Sequence, residues 1–566
     1  MATVVETLTN MLQQAADSLG IQAQIPAVSP TKSADMGDYQ SNCAFRLGKA
    51  LKTSPAGAAQ MLADALQVGE VIHKVEVAGP GFINLFLTEA YLGQALAEQC
   101  ASPTLNVPQT QGTVVIDYSS PNVAKRMHVG HLRSTVIGAA LHKLYQACGW
   151  TVIADNHIGD WGTQFGKLIV AWDNWVDEAA FAEDPIGELQ RIYVKFSQEA
   201  TDEMQDQARE ETAKLQAGDE RNRALWQRFI DASMVEFNTI YDRLGIRFDV
   251  TYGESHYNDM LQPMVDQLLA DGTAETSEGA VIIPFTKADG KGLDKQPFLI
   301  RKKDGAALYG TTDMATVRYR LDTWAPERMV YVTDTRQQLH FKQLFAACKK
   351  VGWTDSKLIH VWFGLLSLPE GNMSSRKGNV IHLKTLLDTA VEKARAIVDS
   401  ASAELPEDQR AAIAEAVGVA AVRYADLSQN PQANVVFDWD KMMAMEGNTA
   451  PFLMYAHARL RSIQRKLELD TTVKAAAPTN DGERALAALL LRYPETVPAA
   501  LEQNRPTILC DYLFSVARAV NRFYAGSRVK GAEGAELQAR VALVAAAAQT
   551  LEEGLAILGV PALHRM

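Results

Sequence analysis

The chain has 566 residues, enough for about three to four domains of ordinary size. Apolar residues make up 47% and charged residues 22%, which excludes a disordered chain, a collagen-like fibre and a disulfide-stapled scaffold. A net charge of −12 excludes a simple basic coat for nucleic acid, although local basic stripes can act inside an acidic whole.

The start, Met1-Ala-Thr-Val-Val-Glu-Thr7, lacks a basic stretch followed by an apolar run, so no signal peptide is expected. Cys43, Cys100, Cys148, Cys348 and Cys510 lie far apart, with no Cys-x-x-Cys pair. Neither a zinc ribbon nor a disulfide framework is expected, and a reducing, cytoplasmic setting is. The longest small-apolar stretch, 541–548, falls short of the roughly 20 residues of a membrane helix, so no membrane partner is expected.

In chain order, residues 4–19 carry apolar positions at helical spacing, and 73–87 read as strand, turn and strand. A polar joint with two prolines, 102–112, closes this first segment. The middle segment alternates: strand at 113–117, helix at 132–148, strand at 151–156, then strand at 328–332, helix at 337–351 and strand at 358–363. Such β-α-β alternation predicts a parallel sheet with nucleotide chemistry at the carboxyl ends of its strands. Charged helical sequence at 186–235 interrupts it as an insertion. A second joint lies at 402–407. Beyond it the sequence is rich in Ala, Leu and Arg and predicts a helix bundle, with 475–482 a loop inside it. The expected division is 1–108, 109–400 and 401–566.

Neither G-x-x-x-x-G-K-[ST] nor a G-x-G-x-x-G after a strand occurs, so the two commonest phosphate loops are absent. Instead, the first middle strand runs into Asp117-Tyr-Ser-Ser-Pro-Asn-Val-Ala-Lys-Arg-Met-His-Val-Gly-His131, and a helix is expected to open at Leu132. A strand–loop–helix junction gathers free backbone N–H groups and the positive end of a helix dipole. His128 and His131, three apart, are expected to share one face of a helical turn. Gly130 removes a side chain where a ligand could approach the backbone, and Lys125 adds a cation. The set predicts a polyphosphate site. A zinc site would need further ligands, and no neighbouring Cys or His has the spacing, so no protein metal centre is expected.

His128-Val-Gly-His131 resembles the first signature of class I aminoacyl-tRNA synthetases, and the longer string 119–135 is similar to the bacterial arginyl-tRNA synthetase version. The second class I signature, Lys-Met-Ser-Lys-Ser, has its counterpart in Asn372-Met-Ser-Ser-Arg-Lys-Gly-Asn379, followed by a strand-like Val380-Ile-His-Leu383. Asn372 and Ser375 replace the signature lysines, while Arg376 and Lys377 keep positive charge there. In the family, a lysine just upstream of the first signature compensates, and Lys125 holds that place. The principal phosphate cation stays open between Lys125 and Lys377. The resemblance implies ATP binding by His128, Gly130, His131, Met373, Ser374 and Lys377, with catalytic roles for Lys125, His128, His131, Arg376 and Lys377. It also implies Mg2+ entering with ATP, without a dedicated protein cage.

A guanidinium is planar, always charged and forked, so its pocket needs carboxylates and planar acceptors in rigid places. In Leu308-Tyr-Gly-Thr-Thr-Asp-Met-Ala315, Tyr309 and Asp313 are four apart, one turn if a helix begins there. The resemblance places the arginine side chain against these two and adds Ser119, Asn122, Glu254 and Gln337. Pairing of that kind rejects lysine by roughly 10⁴ or more, so editing is dispensable.

His457, Arg459, Arg461, Arg465 and Lys466 crowd one helical stretch, and Arg518 and Arg522 alternate with aromatics in 512–524. The arginines suit phosphates and exposed aromatics stack on unpaired bases, while Phe514 and Phe523 are expected in the core. This region is similar to the helical anticodon-binding domain of arginyl and related synthetases. Gly37-Asp-Tyr-Gln-Ser-Asn42 resembles the extra domain these enzymes place on the tRNA elbow, which brings in Tyr39 and Asn42. A cysteinyl enzyme shares the helical domain but wants cysteine and histidine zinc ligands, and the sequence has none placed for that. The expected fold is α/β: a Rossmann-like parallel-sheet catalytic domain of the class I type, an α+β N-terminal domain and an all-α C-terminal bundle. The implied activity is that of a monomeric arginine–tRNA ligase using ATP, L-arginine and tRNA.

Overall fold

The computed structural model describes residues 2–31, 33–49, 51–303, 305–306, 308–367 and 381–566. Helix α1 (Val4–Ser18) buries Val4, Leu8, Leu12, Ala15 and Ala16 along one stripe and opens on a Thr3–Glu6 capping box. Strands β1 (Ser29–Pro30), β2 (Tyr39–Ser41), β3 (Ile72–Ala78) and β4 (Phe82–Leu87) form an antiparallel sheet in the order β1-β2-β4-β3. Helices α2 (Ala44–Leu47), α3 (Pro55–Ala65) and α4 (Glu89–Ala101) complete this α+β segment.

The next elements are β5 (Thr113–Asp117), α5 (Val129–Ala147) and β6 (Thr151–Asp155), followed by α6 (Thr163–Trp175), α7 (Glu178–Glu183), α8 (Pro185–Glu199), α9 (Asp202–Ala217), α10 (Glu220–Leu244) and α11 (Asn258–Ala270). A small antiparallel sheet of β7 (Glu275–Ser277), β8 (Ala280–Ile283) and β9 (Phe298–Arg301) precedes α12 (Tyr309–Trp324). Then come β10 (Arg328–Asp334), α13 (Gln338–Lys350), β11 (Lys357–Phe363), β12 (Leu366–Ser367), α14 (Leu383–Ala401), α15 (Glu407–Leu427) and β13 (Val435–Val436).

The main sheet is parallel, in the order β11-β10-β5-β6. The chain leaves β5 for β6 on one side and later adds β10 and β11 on the other. The carboxyl ends of β5 and β10 therefore form a switch point, where an open parallel sheet leaves a crevice for ligands. Strands covered on both faces read as continuous apolar runs. Accordingly, Val114, Val115, Ile116, Met329, Val330, Tyr331 and Val332 are all buried. The insertion helices α8 to α10 share with α6 a second core around Phe165, Trp172, Leu189, Phe196 and Phe229.

The remaining helices are α16 (Trp439–Met443), α17 (Ala450–Lys466), α18 (Asp481–Leu490), α19 (Tyr493–Glu502), α20 (Thr507–Gly526) and α21 (Gly534–Leu558). By length and composition α21 could cross a membrane, although its small-apolar run, 541–548, is short. It is instead a buried bundle helix packed on α17, α18 and α20, with Leu543, Val544, Leu551 and Leu555 in the core.

The chain divides into two compact units: Met1–Gln109 with Val398–Ile413 and Met443–Met566, and Thr110–Ile397 with Ala414–Met442. The division therefore departs from 1–108, 109–400 and 401–566 in two places. Residues 414–442 go with the parallel sheet, through the buried Arg133–Asp426 pair at 2.8 Å and the β12–β13 ladder. The N-terminal segment and the bundle form one unit, tied by a forked Arg484–Asp38 pair at 2.9 and 2.7 Å.

Candidate active site

The loop leaving β5 carries the densest backbone irregularity near the switch point. Ser119, Ser120 and Ala124 have φ of 73°, 48° and 61°, in the left-handed region that costs a non-glycine residue roughly 1–2 kcal/mol. A side chain captures each of their amides. Ser119 N–H donates to Ser134 Oγ, Ser120 N–H to Asn156 Oδ1 and Ala124 N–H to Ser233 Oγ. Strain is held this way where surroundings over-determine a conformation, as at functional sites.

The loop delivers the chain to α5, which opens at Val129 rather than Leu132. His128 is consequently the N-cap and His131 the third helical residue, so the pair does not share a helix face as expected. Instead they form a reciprocal cap. His128 Nδ1 accepts from Gly130 N–H at 3.0 Å, and His131 Nδ1 accepts from His128 N–H at 3.1 Å. The rings stack with centroids 4.0 Å apart. Each Nδ1 is an acceptor, so each neutral ring carries its proton on Nε2. Burial lowers the pKa of both, helped for His128 by His382, Arg336 and Lys125, and takes His131 to about 3. The helix thus opens with two neutral Nε2–H donors beside its dipole.

Gly130 acts differently from the expectation that it clears the backbone for a ligand. A Cβ there would lie 2.7 Å from His128 Cε1 and 2.8 Å from Nδ1, so the missing side chain makes room for the imidazole. Gly130→Ala should cost about 10² in adenylate formation by displacing that ring. The melting temperature should move little, because alanine favours the helix by about 1 kcal/mol. Pyrophosphate exchange and a thermal melt check both halves.

Lys125 Nζ sits 5.2 Å from the centre of the Tyr193 ring, and partial burial lowers its pKa. Tyr193 lies on α8, so the segment read as an interruption reaches the site. The second signature, with Met373, Ser374, Arg376 and Lys377, lies outside the described residues. Its carboxyl flank is described and returns to the first signature. Val129 N–H donates to Ile381 O at 3.1 Å, Leu383 N–H donates to Met127 O at 2.9 Å, and His128 bridges His382. Of the expected strand, only this bridge is present among the described residues, and Leu383 already opens α14.

Helix α12 begins at Tyr309, so Tyr309 and Asp313 are one turn apart as the spacing predicts. Tyr309 is 72% exposed and available to a ligand. With Trp161, Gln164, Glu254, Asn258 and Lys302 it lines a cavity of about 220 Å³. Glu254 starts a short turn whose amide is held by Ile158 O. Burial pushes its carboxyl up to about 7, with Asp313 and Asp160 adding to the rise and His157 opposing it. A carboxylate set that repels its own charge suits a cation. Asp313 accepts from His340 Nε2 at 2.5 Å.

Asn122 and Gln337 are exposed and follow β5 and β10 at the switch point. Asn122 stands over Gly159, where a Cβ would meet its Oδ1 at 2.2 Å. Ser119 departs from the expected ligand role. It is buried, with its hydroxyl bonded to Tyr241 at 2.9 Å and Thr135 at 2.8 Å, so it shapes the loop.

Below these groups lies a feature the sequence reading missed. Arg320, fully buried on α12, donates Nη2 to Asp117 at 2.7 Å and to Asp155 at 2.7 Å, at the carboxyl ends of β5 and β6. Its spacing from Tyr309, Asp313 and Thr316 along one helix face was the available signal. His340 had no motif of its own.

Within the other unit, Arg465, Arg518 and Arg522 are exposed, and the Arg459 guanidinium lies 3.6 Å from the centre of the Tyr524 ring. Arg459, Arg465, Lys466, Tyr455 and Tyr524 line a basic cavity of about 600 Å³. Two expected contacts are internal instead. Arg461 is spent on Glu552, His457 and Gln464. Tyr39 is 2% exposed and donates its hydroxyl to Glu495, whereas Asn42 is exposed. Phe523 is buried and Phe514 packs on Phe452.

Three family descriptions match along the chain: tRNA synthetases class I (R), catalytic domain, at 92–439; the DALR anticodon binding domain at 453–566; and the arginyl tRNA synthetase N terminal domain at 4–87. An arginine–tRNA ligase of Fusobacterium nucleatum is 42% identical over 567 residues, covering 99% of each chain. One of Escherichia coli (strain K12) is 39% identical over 573 residues, again 99% of each. The Thermus thermophilus arginyl-tRNA synthetase structure is similar at a TM-score of 0.84 and 25% identity, covering 99% of this chain and 100% of that one. At this identity over its full length, the chain belongs to the arginyl-tRNA synthetase family, the class I arginine–tRNA ligases.

Proposed function

We propose that His128 and His131 donate from Nε2 to the phosphates of ATP as charge builds at the α-phosphorus, and that Lys125, Arg376 and Lys377 hold the leaving pyrophosphate. Glu254, Tyr309 and Asp313 take the guanidinium of L-arginine, with Asn122 and Gln337 beside it. An arginine carboxylate oxygen attacks the α-phosphorus, the bond to the bridging oxygen breaks, and pyrophosphate departs. A terminal ribose hydroxyl of tRNA then attacks the carbonyl of arginyl-adenylate and displaces AMP. Such transfers need positioning and charge stabilisation more than covalent help.

The single observation that carries this reading is the pair of neutral imidazoles locked by their own backbone at the switch point. Arg376 and Lys377 enter this reading from the family signature alone. Among the described residues, no group of three or more His, Cys, Asp or Glu side chains is placed to hold a metal ion. Magnesium carried in with ATP would supply charge neutralisation on its phosphates. For tRNA, the unit with the N-terminal segment and bundle offers Asn42, Arg459, Arg465, Arg518 and Arg522. The protein works as a cytoplasmic monomer.

The arginine dependence of pyrophosphate exchange tests the pocket. Asp313→Asn should raise the KM for arginine by about tenfold to a hundredfold, the loss of one charge-assisted hydrogen bond, with the KM for ATP unchanged. An unchanged KM for arginine would remove Asp313 from the pocket.

A further inference from the structure

Asp313, one residue beyond the cavity-lining Thr312, makes one hydrogen bond that recognition of a cation does not require. Asp313, whose carboxylate faces the guanidinium in the reading above, already receives His340 Nε2 on Oδ2, at 2.5 Å. Both side chains are partly buried, at 22% and 28% exposure, so water competes little for the bond. His340 sits on the first turn of α13, directly after Gln337, and is wedged between Phe298 and Phe341 with ring centroids at 5.8 and 5.4 Å. Its ring therefore has little freedom, and neither has the carboxylate oxygen it holds.

We propose that His340 is a positioning residue for arginine specificity: by occupying Asp313 Oδ2 it turns Oδ1 toward the guanidinium, and it does so productively only as the neutral imidazole. A protonated ring would neutralise Asp313 and compete with the substrate cation for the same charge. The inference rests on the assignment of Asp313 to the arginine pocket.

The charged neighbourhood bears on the neutral form. Burial works against a proton on His340, but the hydrogen bond and charge of Asp313 outweigh it and hold the ring above its ordinary pKa. From β11 it is faced by His360, which is pushed down to about 4, chiefly by burial and also by His340 itself. From β9 it meets the uncharged Phe298. Asp313 is thus the acid that sets the state of His340. Below its raised pKa the ring is charged and arginine binds poorly; above it the ring is neutral and Asp313 keeps its full charge, with Oδ1 open to substrate. Arginine affinity should therefore increase as pH rises through that value.

Glu254 titrates in the same direction, because its carboxyl near 7 must lose its proton to face the guanidinium. The two contributions are separated by substitution. Aminoacylation by the full chain is measured at pH 6, 7 and 8 with arginine varied, for the parent, His340→Ala, His340→Gln and Asp313→Asn. His340→Ala should raise the KM for arginine about tenfold at pH 8, with kcat within about twofold and an unchanged melting temperature. His340→Gln keeps an amide donor but cannot titrate. It should recover most of that loss at pH 8 and give a shallower dependence of KM on pH than the parent, the remaining slope belonging to Glu254. A KM for arginine unmoved in His340→Ala, or a His340→Gln profile parallel to the parent, overturns the inference. Failure of Asp313→Asn to raise the KM would instead overturn the pocket assignment beneath it.

Discussion

His131→Gln lowers arginine-dependent pyrophosphate exchange by about 10²–10³-fold, the cost of removing one preorganised donor from a developing charge. Glutamine suits the test because it is a natural third residue of a capping box. It can still accept the His128 amide that His131 Nδ1 now holds at 3.1 Å. The fold and α5 therefore survive, while the stacked ring and its Nε2–H are lost. The loss should fall on kcat and kcat/KM alike, as for an interaction made mainly in the transition state. Stability should shift with pH in a defined sense. His131 has its pKa pushed down to about 3 by burial, from an unfolded value near 6.5. A depressed pKa means stability present above the unfolded value and lost as pH falls toward the folded one. The parent should lose stability between about pH 6.5 and 3, and His131→Gln should lose less over that window. Equal exchange by parent and variant would show that the ring does not face the reacting phosphate.

Arg320→Met destabilises the catalytic unit by about 3–5 kcal/mol, a large part of the roughly 5–15 kcal/mol that holds a domain together. The guanidinium is fully buried and bridges Asp117 and Asp155, whose side chains are 10% and 0% exposed. Removing it leaves two buried carboxylates facing each other at adjacent strand ends. Burial already raises the pKa of Asp155, with Arg320 opposing that rise. Without Arg320 the rise grows. A raised carboxyl contributes stability at low pH that is lost as pH increases, so the deficit should be largest near neutrality and shrink in acid. Chemical denaturation at pH 5 and pH 7.5 checks both size and sign. Because Arg320 shares α12 with Tyr309 and Asp313, the KM for arginine should rise too. A variant as stable as the parent would mean the bridge contributes no net stability.

The parallel sheet was legible because its strands are short apolar runs and its helices carry 3.6-residue periodicity. The helix after Asp117 was placed three residues late because nothing in Met127-His-Val-Gly-His131 is a usual N-cap signal; a histidine caps there. That one shift turns two histidines on a helix face into a reciprocal cap. That Tyr309 and Asp313 lie one helical turn apart was legible through their spacing, a local property. Arg320 left only its helix-face spacing as a signal, and His340 and Tyr193 left none, because each acts on a partner distant in sequence: Asp117, Asp313 and Lys125. The same limit misplaced Tyr39 and Arg461. A tyrosine in a polar motif and an arginine in a basic run look exposed until Glu495 and Glu552 are brought to them.

The central claim is that this chain activates arginine on the histidine pair for transfer to tRNA. The most direct test is exchange of labelled pyrophosphate into ATP, with each of the twenty amino acids, with and without tRNA. Exchange with arginine alone among the twenty is the predicted result. Exchange supported equally well by another amino acid, or none at all while tRNA still binds, would contradict it.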